Sequence, residues 1–140
     1  MYMGKAAGYS GTPLAKKLGI KEGSVLSVVH QPDYYFSLFA DFPDDVQIIH
    51  DERIRKDLIH YFARSLKEYM HDINGLKNQI KSSGCIWVSW PKKSSKIATD
   101  VSEDMVRNIA LKNGLVDIKV CAVDEIWSGL KLVIPIKKRI

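Results

Sequence analysis

Cys85-Ile86-Trp87-Val88-Ser89-Trp90-Pro91-Lys92-Lys93-Ser94-Ser95-Lys96 is the stretch that decides how this chain is read. It opens as an apolar run rich in β-branched and aromatic residues, stops at a proline, and then turns basic and polar. A run of that composition reads as a buried strand delivering a cationic loop to one end of a sheet. Strand alternation puts Trp87 and Ser89 on one face and Val88 and Trp90 on the other. The remaining elements are read as layers around it.

Upstream, Ser24 to His30 carries Val25, Leu26, Val28 and Val29 almost without interruption. That pattern predicts a strand buried on both faces, as in a parallel sheet. Before it, Thr12 is placed to N-cap a short helix over 14–18, with Pro13 in its first position and Gly19 ending it. After it, Asp33 is placed to cap a helix through Tyr34, Tyr35, Leu38 and Phe39 that ends before Pro43. Val46 to Ile49 reads as a second, short strand. Residues 52–81 fit one long helix by the spacing of their apolar positions. Within them, however, Ser65-Leu66-Lys67-Glu68 has the spacing of a capping box, which marks a helix start. The reading taken is a strand over 57–63 and a helix over 66–81, with Gly84 as its end.

Downstream, Asp100-Val101-Ser102-Glu103 repeats the capping-box spacing. The helix that follows runs through Met105, Val106, Ile109, Ala110 and Leu111 and stops near Asn113-Gly114. Val116 to Ile126 and Leu130 to Ile136 flank Ser128-Gly129, which predicts a hairpin turning there. Alternating β and α elements predict an α/β fold with a three-layer, mostly parallel sheet. The final hairpin adds an antiparallel part. This element order resembles the Rossmann-like class I methyltransferase architecture in reduced form, a likeness of layout alone. One domain is expected over residues 1–140, with 1–22 as an N-terminal arm and short helix packed on it.

The chain has 140 residues and is 46% hydrophobic, enough for a core without a metal or disulfide staple. No run approaches the roughly 18 apolar residues of a membrane span. Met1 to Gly8 has no apolar h-region, so no secretory signal is expected. Cys85 and Cys121 each sit in an apolar run and read as reduced core thiols of a cytoplasmic protein. The net charge of +5 and pI near 9.2 suit anionic partners.

Three blocks together resemble the domain of unknown function 3052 family of small bacterial proteins. They are Tyr9-Ser10-Gly11-Thr12-Pro13-Leu14-Ala15-Lys16-Lys17-Leu18-Gly19-Ile20-Lys21, the Trp87 to Lys96 run, and Gly114 through Val133 with Trp127-Ser128-Gly129-Leu130. The resemblance implies a cytosolic single-domain protein and carries no activity to transfer.

Ligands of open α/β sheets sit outside the carboxyl ends of the parallel strands. That rule selects His30 after the first strand, Arg64 after the third, and Trp90, Lys92 and Lys93 after the fourth. Lys92, Lys93 and Lys96, with the hydroxyls of Ser94 and Ser95, have the chemistry to hold a phosphate or carboxylate; the competing reading is a solvated loop. Trp90 either stacks on a base or sugar or packs in the core. Asp124 and Glu125, adjacent on a strand, point to opposite faces and are assigned a structural role. His30, His50, His60 and His71 show no ligand spacing, so no metal is assigned. No glycine follows the first strand, where a dinucleotide or methyltransferase cofactor needs close backbone approach. Proline and paired tyrosines occupy that place, and no cofactor is assigned.

Three functions compete. The first is non-catalytic binding of an anionic small molecule or a protein partner at the loop after the strand. The second is a divergent methyltransferase-like enzyme. The third, a nucleic-acid binder, rests on net charge and the basic tail Lys137-Lys138-Arg139, but no binding motif supports it. The first is preferred, with a monomer, or a homodimer through an edge strand of the hairpin.

Overall fold

A computed structural model describes residues 11–139. The expectations for Met1 to Ser10, including the outer part of the arm, lie outside the described residues. The elements are α1 (Leu14–Leu18), β1 (Val25–Val29), β2 (Gln47–Ile48), β3 (Lys56–Phe62), α2 (Leu66–Lys77), β4 (Ile80–Pro91), α3 (Glu103–Lys112), β5 (Val116–Ala122) and β6 (Trp127–Val133). The strands form one sheet in the order β2-β1-β3-β4-β6-β5. The first four are parallel, and β6 runs antiparallel to both β4 and β5. The mixed α/β sheet with its C-terminal hairpin is the layout that the alternating pattern predicts.

Alternation along the strands divides the core in two. Ile59, Tyr61, Ile86, Val88 and Trp90 face α2 and α3, meeting Tyr69, Ile73, Val106 and Ile109. Leu26, Val28, Leu58, Phe62 and Trp87 face the other way, onto Leu14, Leu18 and Tyr35. Trp87 fixes the second layer: its indole N–H donates to the Leu18 carbonyl at 2.8 Å. No helix among the described residues is long and apolar enough to cross a membrane.

Several boundaries differ from the sequence reading, each for a local reason. α2 ends at Lys77 rather than 81. Ile80 is wholly buried and pairs with Lys56, so the chain is already strand at 80, and 81–84 form a bulge opposite β3. Gly84 is therefore a strand residue, not a helix stop. A Cβ there would meet the carbonyls of Lys56 and Asp57 at 2.9 Å, which only glycine avoids. Pro13, not Thr12, occupies the N-cap of α1, and the Asp41 carboxylate accepts the N–H groups of Ala15 and Lys16. The helix expected after Asp33 is a single 3-10 turn, Tyr35–Leu38. The second strand is only two residues long.

The hairpin turns at 123–126, and Ser128 and Gly129 lie inside β6. Asp124 makes that turn, its carboxylate accepting the N–H groups of Ile126 and Trp127 at 2.8 and 2.7 Å. This is an Asx-type turn that needs no glycine. Gly129 instead leaves room for the Trp87 ring, which a Cβ would approach at 3.2 Å.

Candidate functional site

Chain order and sheet order diverge beside β1. The chain leaves β1 for β2 on one side and returns to β3 on the other. A crevice at such a reversal, outside the carboxyl strand ends, is where open α/β sheets bind ligands. The structure places the sequence-selected residues along this edge in two separate groups.

The first group surrounds a cleft of about 730 Å³ at the carboxyl end of β4. Trp90, Lys92, Lys93 and Lys96 line one side, and Ser102 and Asp104 at the start of α3 line the other. Trp90 is 6% exposed and belongs to the core layer under α2 and α3, so it forms the cleft wall rather than a free stacking platform. Burial pulls the Lys92 ammonium below its usual range, although Asp124 acts the other way. Lys96 adopts a left-handed backbone, φ 62°, that closes a 3-10 turn over Lys93–Ser95. Ser95 is spent on that turn: its hydroxyl donates to the Lys92 carbonyl at 2.6 Å and accepts from Ile97 N–H. Ser94 is exposed on the turn and is not part of the cleft lining. The binding role expected of the two serines thus reduces to loop geometry, and the cleft's cations are the three lysines.

The second group contains His30 and Arg64, which the structure keeps apart from the lysines. His30 ends β1 with φ 58° and lies against α2. Its Nδ1 is 3.4 Å from Glu68 Oε1. Arg64 is committed to Glu68 through a fork, Nε to Oε1 at 3.0 Å and the terminal nitrogen to Oε2 at 2.7 Å. That pairing holds the Glu68 carboxyl below its usual range. Asp72, one turn further along α2, accepts from the Tyr61 hydroxyl at 2.7 Å. Burial works against ionisation of Asp72, but the Tyr61 and His71 contacts outweigh it and its carboxyl also sits low. A groove of about 510 Å³ runs from His30 along the α2 face of β1, with His50, Glu52, His71 and Asp72 on its walls.

The two groups meet at one contact. Asp100, on the rim of the lysine cleft, accepts the N–H of Leu66, the first residue of α2, at 2.9 Å. Ser65 caps the same helix from below, accepting Glu68 N–H. The capping-box reading of Asp100 for α3 is therefore displaced: Ser102 caps α3 by accepting Met105 N–H, and Asp100 serves the neighbouring helix.

On the opposite face of β1 the space beside the strand is filled. Tyr35 is 1% exposed, stands edge-on to Phe39 and Phe62, and shares a hydrogen bond with His60 Nδ1 at 3.0 Å. His60 Nε2 in turn lies 2.8 Å from the Ser89 hydroxyl. Burial drives the His60 pKa down to about 3, so the ring is neutral. This buried Tyr–His–Ser relay escapes sequence reading, because its members come from three distant stretches with no shared motif.

Several solved structures are similar to this one in fold. A precorrin-6y C5,15-methyltransferase from Geobacter metallireducens matches with a TM-score of 0.59 and 10% identity, over 86% of this chain and 85% of that one. A SAM-dependent methyltransferase from Aquifex aeolicus matches at 0.57 and 16% identity, over 84% and 85%. A magnesium protoporphyrin IX methyltransferase from Synechocystis, solved with bound SAM, matches at 0.56 and 11%, over 86% and 74%. At these identities the likeness is one of fold: the chain has a methyltransferase-like Rossmann fold. No family model matches the chain, and no curated protein does.

Proposed function

We propose that the protein is a divergent methyltransferase-like enzyme whose acceptor is an anionic small molecule held in the Trp90–Lys96 cleft. The observation that carries this reading is the pairing of a cleft holding three lysines at the carboxyl end of β4 with a groove along β1 and α2 that holds Glu52 and Asp72, on a fold shared with solved methyltransferases. Lys92, Lys93 and Lys96 supply point charges for a phosphate or carboxylate. The β1–α2 groove is the place for an adenosyl donor. Glu52 lines it from the turn that follows β2, in the part of the chain from which nucleotide folds present a carboxylate to the ribose hydroxyls. In the transfer, an acceptor lone pair forms the new bond to the methyl carbon as the carbon–sulfur bond breaks. Sulfur keeps that electron pair, and the acceptor proton leaves to solvent.

Tyr35 favours a second reading. It plugs the opposite face of β1, where a glycine loop would admit a cofactor, so the donor has only the α2 side. If the groove takes no donor, the protein is a non-catalytic binder of an anionic ligand at the lysine cleft. Either reading is compatible with membership of the domain of unknown function 3052 family, which rests on the three sequence blocks.

A thermal-shift screen separates the two. It uses adenosylmethionine, adenosylhomocysteine, phosphorylated metabolites and dicarboxylates against wild type and Lys92→Ala/Lys93→Ala. The enzyme reading expects donor shifts in both proteins and acceptor shifts in wild type only. Acceptor shifts without any donor shift would support the binder.

A further inference from the structure

We infer that His30, Glu68 and Asp72 form a binding site for one divalent transition-metal ion of the zinc class, at the carboxyl mouth of the β1–α2 groove. Their ligand atoms lie within 4.8 Å of one another. His30 Nδ1 is buried and has no hydrogen-bond partner, although Glu68 Oε1 is 3.4 Å away. That separation is long for a hydrogen bond. It matches instead one edge of a ligand tetrahedron: bonds of about 2.05 Å to a central zinc give edges of about 3.3 Å.

The donor set fits such an ion. Imidazole with carboxylates suits zinc and its neighbours, whereas magnesium and calcium prefer oxygen alone. Both carboxylates are already oriented from behind, Glu68 by the Arg64 fork and Asp72 by the Tyr61 hydroxyl. Metal-binding carboxylates are held by outer hydrogen bonds of this kind.

A separate observation concerns the histidines. Of the four in the chain, His30, His50 and His71 arrive from three different segments and line this one groove. His71 Nδ1 lies 3.1 Å from Asp72 Oδ1 and is a hydrogen-bond partner of that carboxylate, so the fourth position is left to a water or substrate. The site stands whether or not the groove also takes an adenosyl donor.

The test is calorimetric titration of Zn²⁺ into the chelator-treated chain, with Co²⁺ absorption as a second readout. One ion per chain is expected, with Co²⁺ giving the intense bands of tetrahedral coordination. His30→Ala and Asp72→Asn should each weaken binding about tenfold or more. Arg64→Ala, which frees the Glu68 carboxylate from its orienting fork, should weaken it about tenfold. Asp72→Asn keeps the side-chain shape and the acceptor for Tyr61, so it decides the matter if His30→Ala folds poorly. Absence of saturable binding in wild type, or wild-type affinity in Asp72→Asn, would overturn the assignment.

Discussion

Asp100 caps a helix to which it does not belong. It sits just before α3, yet its carboxylate closes the first turn of α2 by accepting the Leu66 N–H at 2.9 Å. This one contact ties the rim of the lysine cleft to the helix that carries Glu68 and Asp72. Asp100→Ala should cost about 1 kcal/mol, the ordinary worth of a cap. Urea denaturation checks this. Ser102→Ala, which uncaps α3, should cost a similar amount.

Gly84→Ala should destabilise the fold by about 1–3 kcal/mol, since the new methyl meets two backbone carbonyls that cannot move aside cheaply. Gly75→Ala is the control. Its Cβ would meet nothing within 4 Å, so it should raise stability through helix propensity. Equal effects at the two positions would contradict the bulge at 81–84.

The His60 relay makes stability depend on pH. Burial holds the folded ring at a pKa of about 3, against 6.5 for an exposed histidine, so below pH 6.5 the unfolded chain takes up a proton that the native state refuses. Stability from neutral His60 is therefore fully present above about pH 6.5 and is lost progressively as pH falls toward 3. The slope approaches about 1.4 kcal/mol per pH unit inside that window. His60→Gln should lower stability at pH 7 and flatten the slope between pH 6 and 4.5. Denaturation curves at stepped pH measure both.

Lys92→Ala/Lys93→Ala should raise the dissociation constant of a phosphorylated or carboxylated ligand by about tenfold, equivalent to roughly 1.4 kcal/mol. The remaining affinity should be less sensitive to salt, because two of the cleft's point charges are gone. Competition titrations at two ionic strengths check both effects. Unchanged affinity would place the ligand outside the cleft.

The layer order was legible because Val25–Val29 and Ile86–Trp90 carry a strong strand signal, while over 57–63 the strand had to be chosen against a helical spacing, with the Ser65–Glu68 capping box deciding. Boundaries were less legible wherever a tertiary contact outbid local preference. Ile80 leaves the helix pattern because its side chain is wanted in the core. Asp41 and Asp100 cap helices distant in sequence, and no spacing rule sees such caps. Ser128-Gly129 looked like a turn because glycine is ambiguous between turn and close packing, and the need was for room beside Trp87. The site was half legible. The strand-end rule picked His30, Arg64 and the lysines. It gave no hint that Arg64 would be bound to Glu68, or that Glu52, Glu68 and Asp72 would gather with three histidines. His30, His50, Glu52, His71 and Asp72 share a groove, with Glu68 beside His30, only after β1 and α2 are packed.

The most direct test of the central claim is calorimetric titration of adenosylhomocysteine into wild type and Glu52→Gln. The account predicts one site per chain in wild type and affinity reduced about tenfold in the variant, from loss of a charged hydrogen-bond acceptor. Absence of binding to wild type, with the lysine cleft still taking an anionic ligand, would contradict the methyltransferase-like reading and leave a binding domain on that fold.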